Sequence, residues 1–199
     1  MRNKLEALSN RVWRTEKARF TAAERSRKKH QALVFAISFL SIVQVLVAIS
    51  VLCGFYFPLI GTNKAEYMTL IASIIVLVIA NQDSLSKLLN QSDSYHRCAN
   101  KLHRLQQEIQ NELANETIEK EQLHRYTKRY SEILEFHDLN HIIGDYKKMM
   151  SEYPYDFPMS WLERTRHQMR HIWNIYWLPI IYCITPFIIV LVAQRIIPN

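Results

Sequence analysis

Residues that break helices are scarce in this sequence, which has three glycines and six prolines among 199 residues. Because turns and strand ends rely on these two residue types, their scarcity favours helices joined by few turns over sheets. The three cysteines are scattered, and they show neither a disulfide framework nor zinc-binding spacing, which is typical of a protein in a reducing cytoplasm. The sequence therefore predicts an all-α protein.

Charge is missing from long stretches of the chain. Residues 30–63, 67–82 and 171–194 contain no Lys, Arg, Asp or Glu. A helix needs roughly 20 predominantly apolar residues to cross about 30 Å of hydrocarbon. The first and third stretches exceed this length and the second nearly reaches it. We therefore expect an integral membrane protein with a two-helix transmembrane hairpin and a third, C-terminal transmembrane helix.

The charged residues indicate how the chain is oriented. Ten Lys and Arg precede the first span against three acids, whereas the loop between the first two spans offers only Lys64 and Glu66. Because cytoplasmic flanks carry the excess of Lys and Arg, the N-terminus is predicted to lie in the cytoplasm of a multi-pass protein of the cell inner membrane. The net charge of +7 fits a basic helix against anionic lipid, so direct nucleic-acid binding is not expected.

These boundaries and the apolar periodicity divide the chain into a series of segments. The predicted segments are a basic cytoplasmic helix (1–31), transmembrane helix 1 (32–57), a short outer loop (58–66), transmembrane helix 2 (67–82), a cytoplasmic helical hairpin (83–150), a linker rich in proline and aromatics with a juxtamembrane helix (151–171) and transmembrane helix 3 (172–197). In the hairpin, apolar residues recur at three-four spacing from Leu85 to Leu113 and from Leu123 to His137. These surfaces could pack on each other, on the N-terminal helix or on another subunit.

Two features are expected near the third span. Ser160 stands where a residue could cap the last helix. Pro179 and Pro186 inside the span remove backbone donors and could kink it.

A histidine-rich segment follows the hairpin. His137, His141 and Asp145 are four residues apart and would share one face of a continuous helix, where two imidazoles and a carboxylate can bind zinc. No fourth ligand stands at a suitable spacing, and no Glu follows His137 as the base of a metalloprotease would. Polar packing is therefore favoured, and no catalytic residue, metal or cofactor is predicted. A membrane-bound hydrolase that uses this face is the enzymatic alternative.

Polar side chains inside the first two spans are the remaining feature. Buried polar groups in a bilayer face other helices or water, so they either bond one helix to another or line a pore. The candidate pore-lining residues are Ser41, Gln44, Ser73 and Asn81.

Together these features resemble a known family. The segment Trp-Arg-Thr-Glu-Lys-Ala-Arg-Phe at residues 13–20, the two-span hairpin, the helix over 85–109 and the motif Asn140-His141…Asp145-Tyr146 are similar to the SLATT domain. The resemblance covers roughly residues 5–150 and is greatest to the subgroup found beside reverse transcriptases. Two spans are usual in this family, and the third span lies beyond the resemblance.

The resemblance implies a non-enzymatic effector of bacterial anti-phage defence. Such proteins are thought to form homo-oligomers in the inner membrane and to permeabilise the lipid bilayer when a partner signals infection. The signal is a nucleotide second messenger in some systems and a reverse-transcriptase module in others. The implied sensor or coupling residues are Asn140, His141, Asp145 and Tyr146. A membrane scaffold that recruits a soluble defence enzyme and conducts nothing is the alternative function.

Overall fold

The computed structural model consists of helices, with no strand in the part of the chain that it describes, which is residues 1–53, 62–80, 84–115, 120–137 and 140–196. The helices are α1 (Arg2–Leu52), α2 (Thr62–Ala80), α3 (Ser84–Leu113), α4 (Lys120–Phe136), α5 (Ile143–Glu152) and α6 (Trp161–Ile196). The all-α prediction is confirmed. The first part of the predicted outer loop, residues 58–61, lies outside the described residues.

The chain divides into two compact units, and α1, α3 and α6 contribute residues to both. Unit 1 consists of Met1–Arg27 and Leu88–Ile172, and unit 2 consists of Lys28–Lys87 and Trp173–Asn199. The charge-free stretches fall almost entirely in unit 2. Most of the residues predicted to be cytoplasmic fall in unit 1.

Unit 1 is held together by an apolar core that α1, α3 and α4 share. The buried side chains of this core are Leu5, Leu8, Val12, Cys98, Leu102, Leu105, Ile109 and Tyr126. The predicted α3 seam is buried from Ser92 to Ile109, including its polar members Ser92 and Gln106. Its end residues Leu85, Leu88 and Leu113 are half-buried. Ser92 donates a hydrogen bond of 2.9 Å to the carbonyl oxygen of Ala23, and Gln106 donates one of 3.0 Å to Ser9. Within the chain, the N-terminal helix is thus a partner of this seam.

Helices α3 and α4 form an antiparallel hairpin. The Tyr126 hydroxyl donates to Glu112 at 3.4 Å, and the Arg129 guanidinium forms a two-pronged ion pair with Glu108, one contact of which measures 3.1 Å. The partner position on α3 falls as the position on α4 rises, so the two helices run in opposite directions. This is the arrangement expected from a short connection.

The segment between α4 and α5 corrects one prediction. Helix α4 ends at Phe136, and Asn140, His141 and Ile142 are not helical. The backbone N–H of Ile142 donates to the Asp145 carboxylate at 3.2 Å, and an acid in the first turn stabilises the start of a new helix. The prediction that His137, His141 and Asp145 share one helix face is therefore wrong.

The linker rich in proline and aromatics packs against α1. The Trp13 ring lies 5.1 Å from the ring of Tyr153, edge-on, and 6.3 Å from the ring of Phe157, stacked. Phe157 also contacts the Tyr146 ring at 6.4 Å. These contacts fix residues 153–157 on unit 1.

Helix α6 begins with the predicted cap. The Ser160 hydroxyl accepts a hydrogen bond from the Glu163 backbone N–H at 3.3 Å, and the Glu163 carboxylate accepts one from the Ser160 N–H at 3.2 Å. This reciprocal pair is a capping box, which satisfies two N–H groups that a helix start otherwise leaves free. The helix then continues through both Pro179 and Pro186.

Unit 2 brings together α2 and the apolar parts of α1 and α6. Leu40 and Val43 of α1, Ala72 of α2, and Pro186 and Phe187 of α6 border one small internal space. Among the described residues, α1 is the one helix long and apolar enough to cross a membrane by length and composition, and 17% of its apolar window is buried. A shorter apolar stretch, Thr69–Val78, lies in α2.

Candidate functional site

A buried ion pair joins α1 to the start of α5 in unit 1. Arg25 donates from Nε to Asp145 Oδ1 at 2.7 Å and from Nη2 to Oδ2 at 3.2 Å. Asp145 is fully buried, and the Ile142 N–H is a third donor to it. A two-pronged contact between guanidinium and carboxylate is strong and geometrically specific. Asp145 therefore fixes the position of the segment that precedes α5.

A second guanidinium, that of Arg19, lies buried in the same unit. It is 3% exposed and stands over the Tyr95 ring at 5.6 Å from the ring centroid. Its Nε and Nη1 have no hydrogen-bond partner among the described residues. Interaction with an aromatic face offsets part of the cost of burying a cation. Buried charges of both signs therefore stand in unit 1, because Glu16 and Asp145 are buried as well.

Tyr95 connects this interior to the implied sensor motif. Its hydroxyl donates to the backbone carbonyl of Asn140 at 2.9 Å. Burial raises the pKa of Tyr95, while the charges of Arg25 and Arg19 oppose the rise. The hydroxyl thus stays protonated at neutral pH and remains a donor to Asn140.

The two histidines between α4 and α5, His137 and His141, have lowered pKa values, which favours their neutral form. Burial, followed by the charges of Lys101, Arg97 and Arg19, lowers the pKa of His137 below its ordinary value of 6.5. Burial and then Arg19 lower the pKa of His141, and Asp145 acts in the opposite direction. The His141 Nδ1 atom is buried and has no hydrogen-bond partner in the described part of the chain. Neutral imidazoles can donate or accept one hydrogen bond at each nitrogen.

A groove of about 510 Å³ opens between α1 and this segment. Its α1 wall is formed by residues at positions i, i+3, i+4, i+7 and i+8, which share one helix face: Ala7, Asn10, Arg11, Arg14 and Thr15. His141 and Tyr146 form the opposite wall, with ring centroids 6.3 Å apart. We call this the Arg11–Arg14 groove.

The four implied sensor residues therefore lie close together but do different things. Asn140 is tied through its carbonyl to Tyr95, and Asp145 is occupied by Arg25. His141 and Tyr146 face the groove. No group of three or more His, Cys, Asp or Glu in the described residues is arranged to hold a metal ion.

Two of the four candidate pore residues contact each other in unit 2. The Gln44 amide of α1 donates to the Ser73 hydroxyl of α2, which donates in turn to the carbonyl oxygen of Thr69 at 2.8 Å. Ser41 is half-buried on α1, and Asn81 lies outside the described residues. Within one chain, Gln44 and Ser73 thus bond one apolar helix to another.

Sequence reasoning missed Arg19, Arg25, Arg11 and Tyr95 as members of this site. The basic residues before the first span were interpreted as marks of orientation, which hid the two that are buried. Arg25 and Asp145 are separated by 120 positions, so no local spacing pairs them. Arg11 and Arg14 stand one turn apart, which was the one local signal available.

Comparison with known proteins identifies the family. The profile of the SMODS and SLOG-associating 2TM effector domain family 5 matches residues 1–192. No curated protein and no solved structure matches the chain. The match extends well beyond residue 150, where the sequence resemblance ended, and includes most of the third apolar stretch. The chain therefore belongs to SLATT family 5, a family of two-span effector domains.

Proposed function

We propose that this protein is an oligomeric membrane effector of bacterial anti-phage defence, which permeabilises the inner membrane when it is triggered through its cytoplasmic helices. The observation that carries the proposal is the exposed apolar surface of α1 in a chain of this effector family. The trigger would come from a nucleotide second messenger or from a reverse-transcriptase module. The proposed role is not enzymatic.

The exposed side chains of unit 2 support a position in the bilayer. In α1, Phe35 is 68% exposed and Ile42 is 61% exposed, and α2 and α6 expose similar large apolar residues. A helix in the core of a soluble protein would bury this face instead. Contiguous exposed apolar surface of this kind indicates contact with lipid or with another protein.

The charge distribution supports a cytoplasmic N-terminus. Ten cations precede residue 30, and only Lys64 is found between the first two apolar stretches. Arg164, Arg166 and Arg170 stand before the third stretch. This asymmetry follows the rule that positive flanks stay inside. Unit 1 would then lie in the cytoplasm.

We also propose that α6 is a third crossing. Its residues from Trp173 onward belong to the same compact unit as the two other apolar segments. Pro186 is buried and Phe187 borders the space shared with α1 and α2. Trp173 and Trp177 stand at the start of this segment, where interfacial aromatics are enriched.

The hydrogen bond between Gln44 and Ser73 would belong to a resting state. Three spans cannot enclose a wide aqueous path, so several subunits would be required to form a pore. A hydrogen bond between membrane helices contributes about 0.6 kcal/mol, so exchanging it for contact with water costs little. On activation, Gln44 and Ser73 would lose their mutual hydrogen bond and would bond to water in the pore instead. Ser41 and Asn81 would line the same pore.

Planar-bilayer recordings on the purified full-length protein test the proposal. We expect discrete current steps whose unit conductance changes in Gln44→Leu. The matched control Ile42→Leu, two positions away on an exposed apolar face, should leave the conductance unchanged. If neither infection of expressing cells nor reconstitution ever produces current or dye leakage, while a soluble protein co-purifies, the non-conducting scaffold is the correct function.

A further inference from the structure

We infer that the Arg11–Arg14 groove binds a small organic phosphate of nucleotide size. The binding step depends only on the geometry of unit 1. Its role as the activating signal rests in addition on the proposed function.

The charge of the groove selects an anion. Arg11 and Arg14 project from one face of α1, and no Asp or Glu among the described residues lines the groove. Neither guanidinium forms an ion pair with a carboxylate in the described part of the chain. Arg14 stands over the Phe157 ring at 5.2 Å, which holds its planar group at the groove. A guanidinium presents paired N–H donors that match two oxygens of a phosphate.

His141 contributes its ring to the opposite wall, while its Nδ1 atom is buried and not open to the groove. The segment that carries it is held on one side by the bond from Tyr95 to Asn140 and on the other by the Arg25–Asp145 pair. A side chain on so fixed a segment is preorganised to bond a ligand, which lowers the entropic cost of binding.

The size of the groove favours an organic phosphate over inorganic phosphate. Sites for small molecules usually measure about 300–1,000 Å³, and the volume here is about 510 Å³. The rings of Tyr146 and His141 are inclined by 33° to one another and offer an aromatic wall. Asn10 adds an amide that can both donate and accept. A phosphate held by the arginines with a planar ring against this wall would use all of these groups.

Equilibrium dialysis of the full-length protein in nanodiscs with radiolabelled ATP as the probe tests the inference. We expect saturable binding that pyrophosphate displaces and adenosine does not. Arg11→Gln with Arg14→Gln should weaken binding at least about tenfold, because each guanidinium makes charge-assisted hydrogen bonds to phosphate. Both side chains are exposed, so the fold should survive, and circular dichroism checks this.

The matched control removes the same charge from the same helix. Arg2→Gln with Lys4→Gln alters exposed residues outside the groove and should leave ATP binding within about twofold. A third variant, Arg11→Lys with Arg14→Lys, keeps the charge but loses the paired donors, and should bind more weakly than the natural protein.

Several outcomes would overturn the site. These are the absence of ATP and pyrophosphate binding at millimolar concentration, equal losses in the groove and control variants, or a clear preference for a short RNA over ATP. Dye-loaded liposomes separate the two proposals. ATP binding without leakage leaves the site standing and contradicts its role as the trigger, whereas leakage without any binding contradicts the site alone.

Discussion

Replacing Asp145 by Asn would leave the Arg25 guanidinium in a mostly buried position without its carboxylate. The pair is well formed, with contacts of 2.7 Å and 3.2 Å, and Asp145 is fully buried. Removing one partner of a buried ion pair costs about 3–5 kcal/mol, because the remaining charge is desolvated and uncompensated. Amides of α5 that exchange through opening of this contact should therefore exchange about 10²- to 10⁴-fold faster.

Hydrogen exchange followed by mass spectrometry on the full-length protein measures this change. The double variant Arg25→Met with Asp145→Leu removes both charges and should return exchange to within about tenfold of the natural rate. Glu152→Gln on the same helix is the control. It breaks the more exposed pair with Lys148, which is worth about 0.3–0.5 kcal/mol, and should change exchange about twofold. Unchanged exchange in Asp145→Asn, or a double variant as unprotected as the single one, would refute this reasoning.

Three further predictions concern stability. The stability of unit 1 should fall as the pH drops below about 6.5, because His137 and His141, with pKa values lowered in the fold, gain protons more readily when unfolded. Chemical denaturation at pH 7.5 and 5.5 should show this loss of stability, and replacing both histidines by Gln should make the loss smaller. Equal stability of the natural protein at the two pH values would contradict the prediction. Ser160→Ala should cost about 1 kcal/mol at the first turn of α6, seen as faster exchange of its amides, and equal exchange would show that the cap contributes nothing. Leu102→Ala should lower the free energy of unfolding by about 2–5 kcal/mol, because this side chain is fully buried. Leu89→Ala, at an exposed position, should change it by no more than about 0.5 kcal/mol. Similar losses in the two variants would contradict the core described for unit 1.

The helical periodicity of α3 could be predicted because one of its faces is buried from Ser92 to Ile109 in unit 1. Apolar side chains at three-four spacing then recur by necessity, and Tyr95, Leu102 and Ile109 follow this rule. The cap at Ser160 is similarly local, since donor and acceptor lie three residues apart. Features of this kind need no knowledge of the rest of the fold.

The predicted helix face through His137 and Asp145 does not form, and the reason is physical. Equal spacing implies a shared face only while the helix continues, and an acid that can cap a new helix also marks where an earlier one has ended. Asp145 serves such a cap and a distant Arg25 at once. The contact to Arg25 spans 120 positions, so it depends on the packing of the whole unit.

The groove could be predicted only in part. His141 and Tyr146 came from the family resemblance, whereas Arg11 and Arg14 were counted among the residues that set orientation. A basic residue beside a span serves topology equally well whether it is exposed, buried like Arg19, or part of a groove. Composition cannot separate these cases.

The discontinuity of unit 1 has a consequence for biosynthesis. Its first part ends at Arg27 and its second begins at Leu88, so the apolar face that carries Leu5 and Val12 is made long before its partner helices. At about 5–20 residues per second, Asp145 emerges roughly ten seconds after Arg25. During that interval the apolar side chains of Leu5, Leu8 and Val12 are without the α3 and α4 side chains that cover them in the finished unit. Arg25 therefore gains its carboxylate partner, and unit 1 is completed, only after the whole apolar stretch of residues 30–82 has been made.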